Sequence, residues 1–275
     1  MAKLNLAEEL KELFRPEDMH RFLDMFPSNI GSFGYDPWGF HIKGIRRTIG
    51  VSKFLYEKFF RVEAFGLENI PKEGRVLIIP NHSGQLPMDG MLIAYAMLTN
   101  SNGPRAPKAM VERWFPTLPV VGNWLSSLGA VIGDPVNCER MLDAEEAIIV
   151  FPEGVRGSGK TFQRRYQLQR FGNGFMHLAL RHKTPIIPVG VVGCEESVIS
   201  FADIKPLARL LGLPYAPLVM PVLLPTKVYL HFGKPLYFDG EESSESVVKQ
   251  KVEVVKDNIR QLIDLGLAKR KHIFE

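Results

Sequence analysis

Four short runs of branched apolar residues constrain this chain most: RVLIIP (75–80), AIIVF (147–151), PIIPVGVVG (185–193) and KVYLHFG (227–233). Each has the length of one strand, and their continuous apolar character fits strands buried inside a sheet. Segments near 89–99, 120–128, 139–146, 173–182 and 243–265 read as helices between and after them. Strands alternating with helices predict an α/β fold, with a central, mostly parallel mixed sheet flanked by helices. At 275 residues the chain can bury one sizeable core, and 45% hydrophobic with 23% charged residues is an ordinary globular composition.

The N-terminal part has a different character. Residues 5–14 and 17–26 read as two short amphipathic helices divided at Pro16, and 27–39 as a Pro- and Gly-rich loop. Residues 40–61, FHIKGIRRTIGVSKFLYEKFFR, interleave apolar side chains with six Lys or Arg and one acid, Glu57. That pattern suits a helix in the lipid interface with its basic face toward anionic headgroups, and equally a helix packed on its own domain. The division expected is therefore 1–61, an amphipathic helical membrane-association module, and 62–275, the α/β domain. The formal charge of +4 is compatible with a membrane surface, an acidic carrier protein or a polyanionic cofactor. Nothing in the sequence calls for a nucleic acid.

Two cysteines, Cys138 and Cys194, are too few for a disulfide framework, so a reducing compartment is the expectation. The N-terminus carries four Glu and one Asp in its first 18 residues and does not read as a secretory signal. No uninterrupted apolar stretch is long enough for a simple spanning helix. Attachment is therefore expected at the surface, on the cytoplasmic face. One further segment, PLARLLGLPYAPLVMPVLLP (206–225), is strongly apolar but contains five prolines. It reads as an irregular flap near an acyl chain or a bilayer, or as a buried loop. The seven His show no metal-ligand spacing, and no metal is expected.

The chemistry concentrates after two of the strands. RVLIIP leads into NHSGQLPMDG (81–90), which places Asn81 and His82 just beyond a strand's carboxyl end, where open α/β sheets put their sites. Pro87 fits the first turn of the next helix, and Asp89 lies in that turn. A carboxylate beside a His sets its tautomer and makes it a general base; a loop His with a capping Asp fits the same residues. After AIIVF come Pro152, Glu153, Gly154 and Arg156. Glu153 can accept a hydrogen bond from a hydroxyl, while Arg156 can bind phosphate or steady an oxyanion. A strand-to-helix loop with a solvated Arg is the plainer reading.

In order, NHSGQLPMD, LPVVGNWLSSLGAVIG, FPEGVR and TPIIPVGVVG resemble the glycerolipid acyltransferase superfamily, which includes bacterial lysophosphatidate acyltransferases. The resemblance covers roughly residues 62–235. It implies acyl transfer from acyl-CoA or acyl carrier protein, as co-substrate rather than cofactor, to a hydroxyl of a lysophospholipid or glycerolipid at an anionic membrane surface. It assigns His82 as general base oriented by Asp89, with Asn81, Phe151, Pro152, Glu153, Gly154 and Arg156 on the substrate side. The family's two-helix N-terminal module is similar in place to residues 1–60.

Two departures stand out. Six residues separate His82 from Asp89 where the family commonly has four. In GAVIGDPVNCER, Asp134 and Asn137 lie near the place of a common phosphate-binding Arg, and KAMVER puts Glu112 near a frequent Lys. Loss of those cations favours a lysophospholipid with a larger headgroup, or a neutral glyceride, over a phosphomonoester. The altered spacing also admits a non-catalytic lipid binder, and a thioesterase would put water in place of the alcohol.

A rival motif overlaps the second constellation. GVRGSGKT (154–161) follows a strand and matches the phosphate-loop pattern, with Lys160 and Thr161 as its nucleotide and magnesium ligands. Against a nucleotide hydrolase, FGNG (171–174) interrupts the following helix, and no later apolar strand ends in an Asp suited to magnesium. PIIPVGVVG runs instead into Cys194, Glu195 and Glu196. Arg164, Arg165 and Arg170 read as headgroup or CoA contacts, or as a solvated face.

Overall fold

The structure, a computed structural model, describes residues 31–82, 87–113, 121–204, 206, 208, 216–240 and 244–275. Among the described residues, nine strands form two sheets: β1 (Glu63–Phe65), β2 (Val76–Pro80), β3 (Lys108–Val111), β4 (Ala130–Ile132), β5 (Ala147–Ile149), β6 (Ile186–Val192), β7 (Ser200–Asp203), β8 (Pro217–Val219) and β9 (Tyr229–Phe232). Seven of them make the main sheet in the order β1-β9-β6-β2-β5-β3-β4. All its pairings are parallel except β6 with β9, so the mixed, mostly parallel sheet expected from the apolar runs is present. β7 and β8 pair separately as an antiparallel ribbon.

The helices are α1 (Ile42–Lys53), continued by a π-helical stretch Phe54–Phe59, α2 (Met88–Leu98), α3 (Val121–Ser127), α4 (Pro135–Asp143), α5 (Val155–Ser158), α6 (Gly174–Arg181), α7 (Cys194–Ser197) and α8 (Glu245–Lys269). Side chains alternate across a strand, so β2 feeds both layers. Leu77 and Ile79 join the core under α4, α6 and α8, while Val76 and Ile78 join the core under α2 and the π-helical stretch. All four are fully buried, each contributing about 1.5–3 kcal/mol. That two-sided burial is why the run is continuously apolar.

α4 starts earlier than the apolar pattern predicts. Asp134 caps it by accepting a hydrogen bond from the Val136 amide (2.9 Å), with Pro135 in the first turn. α8 buries Val248, Val252, Val255, Ile259 and Ile263 along one stripe, mainly against β6. The contact is close because β6 carries Gly190 there; a Cβ on it would lie 2.6 Å from the Leu262 backbone.

Of the N-terminal stretch, the two short helices expected before residue 30 lie outside the described residues. The part described is continuous with the core: Phe40, Ile45 and Phe60 are buried, and Asp36 pairs with buried Lys108 at 2.5 Å. Among the described residues no helix is long and apolar enough to cross a membrane. The proline-rich run resolves in part into β8, with Leu218 and Val222 exposed. Its described residues do not line the cavity described below.

Candidate active site

β2 ends at Pro80, and the chain turns at Asn81 toward solvent. Asn81 is fully buried and bonds β6 twice, its amide donating to the Val191 carbonyl (3.0 Å) and its Oδ1 accepting from the Val191 N–H (2.7 Å). Both polar ends of the side chain are spent on the sheet, so the expected substrate contact is corrected: Asn81 anchors the strand end that carries His82.

His82 Nδ1 lies 2.7 Å from Asp89 Oδ2. The pair forms although six residues intervene, because Asp89 sits in the first turn of α2 and is fully buried there. Its other oxygen accepts from the Gly90 amide at 2.7 Å. The His82 side chain is 18% exposed and packs on the Phe151 ring at 4.4 Å. Burial pulls the imidazole pKa down, but the Asp89 charge and hydrogen bond, with a smaller push from Glu153, raise it above its ordinary value. With Nδ1 held by Asp89, Nε2 is the nitrogen through which the ring takes a proton.

Glu153 is buried behind His82. Its Oε1 accepts from the His82 backbone N–H (2.9 Å) and its Oε2 from the Gln169 N–H (2.8 Å). Both carboxylate oxygens are thus bonded to backbone amides rather than turned to a substrate, and Glu153 braces the loop that carries His82. The loop closes tightly through Gly157, where a Cβ would sit 2.6 Å from His82 Cβ and 2.8 Å from Glu153 Cβ. Pro152 gives its carbonyl to the Gly172 amide at 2.8 Å, while Phe151 and Gly154 line the cavity. Arg156 does not: Val155 and Ser158, three residues apart, turn to the cavity, and Arg156 is exposed. A role for Arg156 at the oxyanion is thus not met by this geometry.

Lys160 answers the rival motif. Its Nζ lies 2.8 Å from Glu195 and 3.7 Å from Glu153, and all three side chains are buried. Burial raises the Glu195 carboxyl pKa, with Lys160 pulling the other way. An amine clamped between two buried carboxylates does not reach a nucleotide phosphate, which overturns the phosphate-loop reading. Glu195 was missed as a site-supporting residue; two consecutive carboxylates directly after a wholly buried strand were the available signal. Removing the amine strands buried negative charge, so Lys160→Met is expected to lose about 3–5 kcal/mol of stability. Urea unfolding reads this loss, and an unchanged midpoint would contradict the clamp. Of the arginines singled out, Arg165 lies 3.4 Å from Glu196, while Arg164 and Arg170 are exposed.

His82 opens onto a cavity of about 760 Å³. α1 contributes Ile45 and Ile49, α2 Met91 and Leu98, and α3 Leu125. Among the described residues no Lys or Arg lines it, whereas Glu112 and Asp134 do. Arg113 pairs with Asp134 at 2.8 Å. Trp124 is 46% exposed and donates to Thr48 Oγ1 at 3.1 Å.

The family model described as Acyltransferase matches residues 61–192. An uncharacterized protein of Mycobacterium tuberculosis is 35% identical over 260 residues, covering 90% of this chain and 72% of that protein. A human protein named DGAT1/2-independent enzyme synthesizing storage lipids is 25% identical over 209 residues, covering 74% of this chain and 60% of its own. Among solved structures, the 1-acyl-sn-glycerophosphate (LPA) acyltransferase PlsC of Thermotoga maritima shares the fold. Its TM-score is 0.52 at 24% identity, covering 80% of this chain and 83% of that one.

Proposed function

The chain belongs to the glycerolipid acyltransferase superfamily, and from that premise we propose that it moves a fatty acyl group from the thioester of acyl-CoA or acyl carrier protein to a lipid hydroxyl, with His82 as base. The observation that carries this reading is the 2.7 Å His82–Asp89 pair at the wall of a large apolar cavity. The acceptor hydroxyl gives its proton to His82 Nε2 as its oxygen attacks the thioester carbonyl carbon. Asp89 stabilises the imidazolium that forms and holds it in place. The tetrahedral intermediate then collapses, the C–S bond breaks, and the thiolate leaves with the proton returned by His82. Glu153 acts through the backbone, fixing the position of His82.

The acceptor is a lysophospholipid or glycerolipid. One observation favours a neutral glyceride: among the described residues no Lys or Arg lines the cavity, and the Glu112 carboxylate does, an unfavourable setting for a phosphomonoester. The printed name of the human relative, with its storage lipids, agrees with that preference.

The test is transfer of radiolabelled oleoyl from CoA and from carrier protein to lysophosphatidate, lysophospholipids, monoacylglycerol and diacylglycerol in mixed micelles. Labelled product with a neutral or large-headgroup acceptor is expected, and weaker product with lysophosphatidate. Release of free fatty acid without an acylated lipid would make the protein a thioesterase, and no reaction with any donor would leave a lipid binder.

We place the protein peripherally on an anionic membrane, at its cytoplasmic face, through the basic and apolar N-terminal residues. Because Phe40, Ile45 and Phe60 belong to the core, the informative variant keeps them and replaces the basic residues Lys43, Arg46 and Arg47 together with Gln, rather than deleting 1–61. That variant is expected to remain in the supernatant when vesicles containing phosphatidylserine are sedimented. Undiminished co-sedimentation would move the membrane contact elsewhere.

A further inference from the structure

The buried ion cluster behind His82 holds two acids and one amine. Each acid accepts at both of its oxygens. Glu153 takes the His82 and Gln169 amides, and Glu195 takes Lys160 Nζ and the Tyr166 amide, the last at 2.9 Å. A proton on either acid would set an O–H against a donor already aimed at that oxygen, so these bonds require both to be ionised. The other titratable groups facing the two carboxylates are His82, with Asp89 behind it, Tyr166, and Glu112 across Gly154. Glu196 is balanced separately, by Arg270 at 2.7 Å and Arg165 at 3.4 Å. Among the described residues Lys160 is thus the cation that Glu153 and Glu195 share. The segment joining them is strained: Tyr166 has a φ of 62°, uncommon for an aromatic residue, and its hydroxyl accepts from the Gly193 amide at 2.9 Å.

We propose that Lys160 is a positioning residue for the transfer reaction: its charge keeps Glu153 and Glu195 ionised together, and that pair fixes His82 through its backbone amide. This rests on the acyl-transfer reading with His82 as base. Without the amine, two neighbouring buried carboxylates do not both stay ionised at neutral pH, and one takes up a proton. Burial already pushes the Glu195 carboxyl up, the Glu153 charge adds to the push, and Lys160 opposes both. Protonation displaces a donor: the His82 or Gln169 amide at Glu153, the Tyr166 amide at Glu195. Residues 166–169 tie the two acids together through the Tyr166 and Gln169 amides, so a loss at either acid slackens the same brace. Little room separates the brace from the base, since a Cβ on Gly157 would lie 2.6 Å from His82 Cβ and 2.8 Å from Glu153 Cβ. The sign for pH follows. With Lys160 removed, a working site needs an acid whose pKa is raised to be ionised, so activity is lost below that pKa and returns as pH rises through it. Lys160 also lowers the His82 pKa directly, as the smallest influence on it, so rate and amide are read together.

The experiment compares wild type, Lys160→Met and Lys160→Met/Glu195→Gln for acyl transfer across the neutral and alkaline pH range, beside the NMR signal of the His82 backbone amide. Lys160→Met is expected to lose about 10²-fold in kcat near neutral pH with KM nearly unmoved, the scale of a displaced catalytic group. Its rate should climb again on the alkaline side. Adding Glu195→Gln leaves one carboxylate and an uncharged acceptor for the Tyr166 amide, and should restore about tenfold. The His82 amide proton, bonded to a carboxylate in wild type, should move upfield in Lys160→Met and return in the double variant. If Lys160→Met alone does not fold, the double variant is read against Glu195→Gln, which keeps the cation and should show its acid limb at the lower pH; coincident limbs overturn the proposal. So does a rate loss equal at every pH that persists in the double variant, or a His82 amide that stays in place in folded Lys160→Met. Absence of transfer by wild type would instead remove the reading beneath, and the amide signal would still decide the role of Lys160.

Discussion

Replacing His82 with Ala is expected to lower the acyl-transfer rate by about 10³–10⁴-fold, the scale of a lost general base. Nothing else among the described cavity residues can take that part. Glu112 and Asp134 are the other titratable side chains with carboxylates on the wall, and neither has the buried, oriented setting that Asp89 gives His82. The thiol Cys138 borders the cavity, but burial pushes its pKa up to about 12, which keeps it protonated and poorly nucleophilic. The variant should fold. The bond from residue 82 to Glu153 uses the backbone amide, which alanine keeps, and the ring's losses are its 2.7 Å bond to buried Asp89, whose other oxygen stays bonded to the Gly90 amide, and its contact with Phe151. Thermal unfolding alongside the transfer assay separates the two effects. Full activity in a folded His82→Ala protein would exclude the mechanism.

Asp89→Asn is expected to cost about 10²–10⁴-fold in kcat, because an amide of the same shape can present N–H to Nδ1 and select the wrong tautomer. It carries a second signature. Catalysis needs neutral His82, so kcat/KM should fall on the acid side through a pKa above the ordinary 6.5. Burial lowers that pKa and Asp89 is the chief opposing influence. Removing the charge should therefore shift the acid limb to lower pH, even as the rate drops at every pH. A rate loss with an unmoved limb would mean that Asp89 serves the helix and not the imidazole. No change in either would retire Asp89 from the site.

The fold was largely legible because burial on both faces leaves a local mark. VLIIP, AII and IIPVGVV are apolar at every position, since each residue of an inner parallel strand faces one packed layer or the other. β1 and the β7–β8 ribbon were not legible: three- and four-residue strands at an edge or apart from the main sheet carry no such run. Residues 40–61 illustrate the limit of pattern. Basic and apolar interleaving fits an interface or a core, and only the burial of Ile45 and Phe60 showed that part of the stretch completes the α/β body.

Sequence by itself determined the layered α/β architecture and the family, and placed Asp89 in the first turn of the helix after His82 while leaving their pairing open. These depend on periodicity and on neighbours within a few residues, and both are written in the order of the chain. Tertiary structure decided the roles of the polar residues around them. Asn81 meets Val191 across 110 positions, Glu153 meets the His82 amide across 71, and Lys160 meets Glu195 across 35. A buried polar group takes whichever partner the packed layers bring within about 3 Å, and no local pattern records that choice. Asn81 and Glu153, read from the motif as substrate ligands, are therefore braces, and Lys160, read as a phosphate ligand, is the counter-charge between two buried carboxylates.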